Sequence, residues 1–560
     1  MARKLLLIVT FLLISSFESF ALFEKKSNEV VSEYLVAKIS KDQNDFSISE
    51  YFFKKVYKKN ILNTTVLNSL LFINILEGDL KDANKISQEI LLKCIDNSTL
   101  NCENNIAFQA RLVSAIYKLK NNKLKEASKE FEHIPLNSGY GYLNYLDQVS
   151  FKKILEAWTW ANKENYKKSI KIIDSIDSNN YQYLTILHKA LIYDLVDEIE
   201  LAEIFYDQAL ILKQETYLIN LYFNFLDRNN KLKKKKLLVN QYLINFDERS
   251  LATFMKAKNY RIINNQIEGI AISLFNTNEP LYNLDEDQIL IILSLSSNLS
   301  TNFYESNFIL ASHLALYDQY EKAIQIYNKI PKDHYLSEIS ALRIANISFL
   351  EENSLSAIKY LKSHLSTNKS YEGLIRLGNY YRYESDWNTA IKIYNEAIEL
   401  KKDTQDISLW EAYYYLGIAY ERNKEWYTAE DFFLKSLNIS KDNPEVLNYL
   451  AYSYLEMNEN FPEAKLMLEK ALNQRPDDSY IIDSMGWYYF KVGEYNKALP
   501  LFEYAITIDP SDPTINDHYG DVLWKTGKYM QARYQWQKSL NLEPEKEQAS
   551  IINKKLLIGI

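Results

Sequence analysis

The sequence predicts an all-α fold, a superhelical solenoid of antiparallel helix pairs, from three observations. The 560 residues include only 12 glycines and 10 prolines, too few for the turns of a many-stranded sheet protein. Small residues recur in the second half of the chain at a spacing near 34. A chain of this length with 47% hydrophobic residues must bury its apolar surface in several domains or in a repeat array.

The first 21 residues have the pattern of a secretory signal peptide. Arg3 and Lys4 precede an apolar run from Leu5 to Ile14, and residues 19–21 supply the small side chains that a signal peptidase requires. The run is shorter than the roughly 20 residues that span a bilayer, which favours cleavage over the alternative, a retained anchor. We therefore predict a periplasmic or outer-membrane-associated protein, with a Gram-negative cell assumed and peripheral membrane association left open.

Two cysteines, Cys94 and Cys102, lie in a polar connection between two apolar helical stretches. In an oxidising compartment they could form a disulfide bond, which would stabilise the fold by roughly 2 to 3 kcal/mol. The alternative is two unrelated thiols. Neither cysteine has the spacing of a zinc or redox site.

Two series of small residues define the repeat. The series that marks one helix of each pair consists of Gly378, Gly417, Ala451, Gly486 and Gly520. The series that marks the partner helix consists of Ala390, Ala429, Ala464, Ala498 and Ala532. Both series advance together, so each unit contains two helices that approach closely where their side chains are small. Pro510 and Pro544 end second helices, because proline cannot continue a helix.

This pattern resembles the tetratricopeptide repeat (TPR). Around one small residue the family pattern is met by Met485, Gly486, Tyr489, Ala498, Phe502, Ala505 and Pro510. The resemblance implies a TPR-type solenoid that binds proteins or peptide segments and needs no cofactor. The carboxyl half of the chain also resembles bacterial TPR proteins of the cell envelope, as seen in segments 448–457, 483–487 and 516–521. That likeness implies an adaptor whose partner is an envelope protease or an assembly factor.

The strength of the repeat signal divides the chain into four predicted segments. These are a signal peptide at 1–21, divergent TPR-like helical repeats at 22–300, a well-formed TPR array at 301–545 and a C-terminal tail at 546–560. In the divergent segment Ala83, Ala127, Ser169 and Ala202 each begin an apolar stretch of second-helix type. We therefore expect helical hairpins there as well.

No motif of a catalytic or metal site is present in the sequence. Six histidines are scattered without metal-ligand spacing, and no nucleophile motif occurs. The Lys231 to Lys236 run has no interleaved aromatic residues, which indicates a solvated helix face rather than a nucleic-acid patch. We therefore predict no enzyme, no metal, no cofactor and no nucleic-acid partner.

The resemblance places partner binding on the concave face, which the first helix of each pair lines. The residues at the binding positions are Asn379, Arg382, Arg422, Asn448, Tyr452, Asp483, Trp487, Phe490, Asp517, Asp521 and Trp524. Towards the carboxyl end they form a stripe of aromatic residues flanked by carboxylates, which suits a segment with basic and apolar side chains. For Trp487 and Trp524 core packing is an equal alternative.

The function predicted from these observations is that of an exported scaffold or adaptor that binds other envelope proteins and catalyses no reaction. One alternative is a ligand-binding or enzymatic function in the divergent first half. Another is a structural subunit of an envelope assembly or secretion complex.

Overall fold

The computed structural model describes residues 28–59, 64–95, 104–134, 145–176, 181–242, 261–276, 286–300, 302–401 and 407–560. Across these residues it has 29 helices and no strand, which confirms the predicted all-α fold. None of the helices in these ranges has the length and apolar character needed to span a membrane. The predicted signal peptide at 1–21 lies outside the described residues.

The chain forms two compact units that divide after Ile347. The described helices that begin before this point are α1 Asn28–Asp42, α2 Phe46–Lys58, α3 Thr64–Leu76, α4 Leu80–Ile95, α5 Asn104–Lys120, α6 Leu124–Glu132, α7 Tyr145–Thr159, α8 Tyr166–Asp174, α9 Gln182–Leu195, α10 Ile199–Leu212, α11 Thr216–Arg228, α12 Leu232–Tyr242, α13 Gln266–Asn276, α14 Glu286–Leu299, α15 Tyr304–Leu316, α16 Tyr320–Tyr327 and α17 Ser337–Glu351. The predicted change of repeat quality at residue 300 thus falls inside the first unit.

The second unit continues with twelve described helices. They are α18 Ser354–Leu365, α19 Tyr371–Tyr383, α20 Trp387–Lys401, α21 Leu409–Arg422, α22 Trp426–Ile439, α23 Pro444–Met457, α24 Phe461–Gln474, α25 Ser479–Lys491, α26 Tyr495–Ile508, α27 Pro513–Lys525, α28 Tyr529–Asn541 and α29 Lys546–Ile558. The last of them lies in the segment that the sequence analysis predicts as a tail.

Helical hairpins are present in the first unit. Helix α1 packs on α2, α5 on α6, α7 on α8 and α9 on α10. The small residues predicted to mark second helices, Ala83, Ala127, Ser169 and Ala202, are fully buried near the starts of α4, α6, α8 and α10. The Ser169 hydroxyl donates to the carbonyl of Ala157, twelve residues earlier, at 2.7 Å. The small side chain therefore lies where the two helices meet.

A disulfide bond is present at Cys94, near the end of α4. Cys102, the partner that the sequence analysis proposes, lies outside the described residues.

In the second unit the small residue of each first helix is matched in size to a residue of the second helix. A Cβ added at Gly417 would lie 2.5 Å from the Phe433 ring. Alanine replaces glycine only where the second helix carries leucine. The position pairs are Gly378 with Tyr394, Gly417 with Phe433, Ala451 with Leu468, Gly486 with Phe502 and Gly520 with Trp536. In these five hairpins glycine therefore occurs where the opposing side chain is aromatic.

The turn inside each of these hairpins needs a residue with left-handed backbone. Seven positions after the small residue, φ lies between 55° and 82° at Ser385, Lys424, Asn458, Gly493 and Gly527. Glycine adopts this conformation without steric cost, and the last two turns have it. The first helices of the last three hairpins begin with side-chain caps at Asn443, Asp478 and Asp512. Caps and turns together fix which side chains each first helix presents.

We expect Gly417→Ala to lower the free energy of unfolding by about 1–2 kcal/mol. Overpacking costs about 1–3 kcal/mol, and the better helix propensity of alanine offsets up to about 1 kcal/mol. The Phe433 ring cannot move aside because it is fully buried and packs against Tyr449 at 5.4 Å between ring centres. Urea unfolding measures the effect.

The double variant Gly417→Ala/Phe433→Leu recreates the pairing seen at Ala451. Its loss of unfolding free energy should be smaller than the sum of the losses in the two single variants. Gly486→Ala is the milder control, because its added Cβ would lie 3.0 Å from the nearest atom. Strict additivity in the double variant would disprove the size matching.

Candidate functional site

The first helices form the inner layer of the second unit. Helix α19 contacts α21, α23 contacts α25 and α25 contacts α27 directly, whereas the second helices of successive hairpins make no comparable contact among the described residues. A stack whose first helices are the closer set curves towards them. We call the side chains at the predicted binding positions of α19, α21, α23, α25 and α27, together with the side chains of α29 that contact them, the inner face.

At the carboxyl end of the inner face, Asp483 and Trp487 meet at His518. The Nδ1 atom of His518 is 2.9 Å from an oxygen of Asp483, and its ring stacks on the indole of Trp487 with the ring centres 4.0 Å apart. The Trp487 indole N–H donates to Glu456 at 2.7 Å. All three meeting side chains are more than nine-tenths buried. The two predicted binding residues therefore pack α25 against α27.

The other two carboxylates of the stripe, Asp517 and Asp521, are held by Lys555 of α29. The lysine Nζ lies 2.7 Å from an oxygen of each. Asp521 also accepts the indole N–H of Trp536 at 2.9 Å. Both carboxylates are buried and share the single ammonium group of Lys555 as their cation.

The charges and the burial in this cluster favour the protonated forms of His518 and Asp521. Burial alone would lower the pKa of His518, but the carboxylates of Asp483, Asp517 and Asp521 raise it above its ordinary value. Burial raises the pKa of Asp521 to about 6, against the opposing effect of Lys555. The cluster is therefore an internal acid–base network with few groups open to water.

The two remaining aromatic residues of the stripe, Phe490 and Trp524, are half-buried. Phe490 stacks on Trp487, with ring centres 4.8 Å apart. Trp524 packs against Trp536 at 5.3 Å and Tyr529 at 4.7 Å between ring centres. Their rings therefore extend the packing of the carboxyl end and present only part of their surface.

Asn448 and Tyr452 lie in the middle of the inner face, on α23, and both are half-buried. The Tyr452 ring centre is 6.2 Å from that of His518. Burial, together with the carboxylates around it, raises the pKa of Tyr452 well above its ordinary value. The side-chain oxygen of Asn448 is buried and has no hydrogen-bond donor. Asn448 is thus an acceptor that the chain itself leaves unsatisfied.

On α19, Asn379 and Arg382 contact tyrosines of the neighbouring helices. The Asn379 oxygen accepts the Tyr394 hydroxyl at 2.7 Å. The Arg382 guanidinium lies over the Tyr415 ring, 5.2 Å from its centre. The Nε of Arg382 is buried and has no acceptor. This end of the inner face therefore offers an unsatisfied donor.

Arg422, at the end of α21, forms an ion pair with Glu545, just before α29, at 3.1 Å. The two residues are 123 positions apart, so this ion pair joins distant hairpins across the inner face. The pair is exposed and contributes little to stability by itself. It shows that the segment before α29 reaches α21.

Three residues that organise this face are missing from the sequence prediction: His518, Glu545 and Lys555. His518 lies between two predicted positions of one helix, where position alone indicates core. Lys555 lies 34 residues after Asp521, so continuing the period by one unit could have identified it. Nothing in the sequence marks Glu545.

Outside the inner face, the lysine run predicted as a solvated helix face is paired with acids. Its ion pairs are Lys231 with Glu203, Lys234 with Asp207 and Lys235 with Asp227. The described part of the chain also contains no group of three or more His, Cys, Asp or Glu residues placed to hold a metal ion.

The sequence profile of the tetratricopeptide repeat matches residues 375–445. No curated protein sequence matches the chain. Among solved structures, a tetratricopeptide repeat protein from Parabacteroides merdae is 16% identical, with 46% of this chain and 98% of that chain covered and a TM-score of 0.37. YrrB, described as a TPR protein with an unusual peptide-binding site, is 20% identical over 35% of this chain and 97% of its own, with a TM-score of 0.25. The Cut9–Hcn1 structure is 16% identical over 96% and 98%, with a TM-score of 0.37.

The profile match covers two hairpins whose small residues, Gly378 and Gly417, begin the series that runs on to Gly520. The helix pairs, their close contacts and their left-handed turns repeat with the same register to the end of α28. Residues 375–445 therefore belong to the tetratricopeptide-repeat family, and the chain has an all-α, TPR-type solenoid fold.

Proposed function

We propose that this protein is an exported scaffold or adaptor that binds envelope proteins through the inner face and catalyses no reaction. Tetratricopeptide repeats form extended surfaces for protein–protein interaction. Residues 375–445 match that repeat, and the inner face begins there. An envelope protease or an assembly factor is the class of partner that we propose.

The observation that carries the proposal is a pair of unsatisfied groups on the inner face. Asn448 has a buried oxygen without a donor, and Arg382 has a buried Nε without an acceptor. Buried polar groups in proteins nearly always have partners, and a peptide backbone offers one donor and one acceptor per residue. A bound peptide segment is the partner that we propose for both groups.

The surroundings of these two groups indicate a partner of mixed character. Tyr414 and Tyr415 are half-buried aromatic residues beside Arg382 and Tyr394. Burial raises the pKa of Glu411, which lies on α21 with the two tyrosines. Both charge signs occur next to aromatic surface, which suits a peptide with apolar and charged side chains better than a polyanion.

Photo-cross-linking in cells tests the proposal. Tyr480 is 56% exposed on the first helix α25, and Tyr427 is 79% exposed on the second helix α22. With p-benzoylphenylalanine at position 480, we expect a cross-linked envelope protein that is absent with the probe at 427. Combining Arg382→Ala with Asn448→Ala should reduce the cross-link at least tenfold, about the loss expected from 1.4 kcal/mol.

The matched control is Asn395→Ala, which removes an exposed asparagine from the second helix α20. An undiminished cross-link in the Arg382/Asn448 double variant would disprove binding at these groups. Fractionation of the same cells tests export, because a cytoplasmic protein would contradict the proposed location. Trp487→Ala and Asp521→Ala are unsuitable here, since both side chains stabilise the fold.

No described feature favours the alternatives. The described residues between 28 and 300 form helical hairpins, which lends no support to a ligand-binding or enzymatic domain in the first half.

A further inference from the structure

Helix α29 occupies the place of a first helix in the repeat. The Gln548 side chain lies 3.4 Å from the Thr514 hydroxyl, and the Lys555 ammonium group donates to Asp521. In each pair the two residues are 34 positions apart. The small residue of the series, present as glycine at 520, is replaced by the exposed Lys554. A second helix could therefore not approach α29 at that point as closely as α28 approaches α27.

Apolar burial holds α29 only weakly. Ile552 is its one buried side chain, in a cluster with Leu523, Ala532 and Trp536. By contrast, α25 and α27 each bury eight residues. The exposed fractions of Leu557 and Ile558 are 80% and 70%. Release of α29 would therefore uncover less apolar surface than loss of α25 or α27, chiefly at Ile552 and the partly buried Leu556.

Polar contacts carry most of the attachment. Lys555 forms ion pairs with both Asp517 and Asp521, which lie one helical turn apart and are buried. Two adjacent buried carboxylates need a cation, because removing it leaves uncompensated charge in a medium of low dielectric constant. The surface around them adds the carboxylate of Asp483. The Asp517–Asp521 pair is therefore suited to bind one ammonium group.

The connection to α29 is strained. Glu543 has φ 55°, although it is not glycine and precedes Pro544. The equivalent residues one and two repeats earlier, Asp509 and Arg475, have φ of −126° and −131°. A non-glycine residue in the left-handed region is strained, because its Cβ crowds the backbone. Release of α29 would let Glu543 relax to the conformation of its equivalents.

We propose that the Asp517–Asp521 pair is a docking site for a lysine on a partner's amphipathic helix, and that α29 occupies this site in cis until such a helix displaces it. The partner helix carries an aliphatic residue three positions before its lysine, as Ile552 precedes Lys555. This inference rests on the proposed function, whose partner it describes: a protein with an exposed helix of basic and apolar character.

A labelled synthetic peptide of residues 546–560 is the probe, and the full-length chain is the receptor. A ligand in cis on a short connection acts at millimolar effective concentration, so the wild type should bind the peptide weakly. Lys555→Met weakens the cis contact and should raise the affinity for the peptide by about tenfold or more in fluorescence anisotropy. Lys554→Met, which removes the neighbouring exposed charge, should behave as wild type.

Two further variants assign the binding to the carboxylates. Adding Asp517→Asn and Asp521→Asn to Lys555→Met should abolish binding, and a peptide with methionine in place of its lysine should not bind Lys555→Met. Equal peptide binding by wild type and Lys555→Met, or binding that survives loss of both carboxylates, would overturn the proposal. A concentration-dependent dimer of Lys555→Met without peptide would also overturn it, because the occupant would then be a second copy.

Hydrogen exchange of the wild type keeps the proposal testable if the variants unfold. We expect the amides of α29 to exchange through local opening, well before those of α27. Exchange of both helices at the rate of global unfolding would show that α29 is not displaceable. Cross-linking at position 480 that persists while the peptide fails to bind would refute this inference alone. Peptide binding without any cross-link would refute the proposed function alone.

Discussion

Trp536→Ala should lower the free energy of unfolding by about 3–5 kcal/mol, the usual cost of truncating a buried tryptophan. The indole is fully buried and donates its N–H to Asp521 at 2.9 Å. Gly520 faces it so closely that an added Cβ would lie 2.4 Å from the ring. Neither helix can close the cavity without moving its partner. Urea unfolding, with hydrogen exchange to locate the change in α27 and α28, measures the loss.

Trp536→Phe separates packing from the hydrogen bond. Phenylalanine occupies the equivalent position of other repeats, at Phe433 and Phe502, so the ring itself is compatible with the site. The remaining cost is about 1–3 kcal/mol, for a buried carboxylate that loses one donor. Tyr534→Ala on the same helix is the surface control, because its side chain is 67% exposed. A Trp536→Ala protein within about 1 kcal/mol of wild type would contradict the assignment of this residue to the core.

The fold could be predicted because its determinants are local and repeated. Glycine at 417, 486 and 520 has one structural reason, the aromatic ring that faces it, and the same spacing recurs with each hairpin. The small residues that the sequence analysis assigned to second helices of the first unit are also buried, although the repeat there is divergent. Because the repeat occurs several times in one sequence, its copies can be compared with each other, which is not possible for a single helix.

The partners of the candidate site could not be predicted in the same way. The period gives the positions of Asp483, Trp487 and Asp521 on their helices, but not which groups they meet. His518 reaches Asp483 from the next hairpin, and Arg422 reaches Glu545 across 123 residues. Such contacts depend on how strongly the stack curves, which small differences in many interhelical contacts determine together. Position in the repeat therefore predicts on which face of the stack a residue lies, but not whether its side chain is free to bind a partner.

Acid should destabilise the first unit through His188, which is the second large effect that we expect. The imidazole is fully buried, and its Nδ1 accepts the indole N–H of Trp158 at 3.1 Å. Burial lowers the pKa of His188 to about 3. The unfolded chain takes up this proton near pH 6.5, so between these values the unfolded state binds more protons than the folded state. Stability that is present above pH 6.5 is therefore lost as the pH falls, by about 1.4 kcal/mol per unit.

His188→Gln isolates this contribution, because glutamine can accept the Trp158 hydrogen bond but does not titrate. Asp194 and Glu305 lie in the same unit, and burial raises the pKa of each, so they oppose the effect of His188 in both proteins alike. The difference between the two unfolding free energies removes them. From about pH 6.5 to about pH 4.5 we expect the wild type to lose about 1.4 kcal/mol per pH unit relative to the variant. A difference that does not change with pH in urea unfolding would mean that the folded protein accepts the proton at His188, and that this imidazole is not held in a closed apolar core.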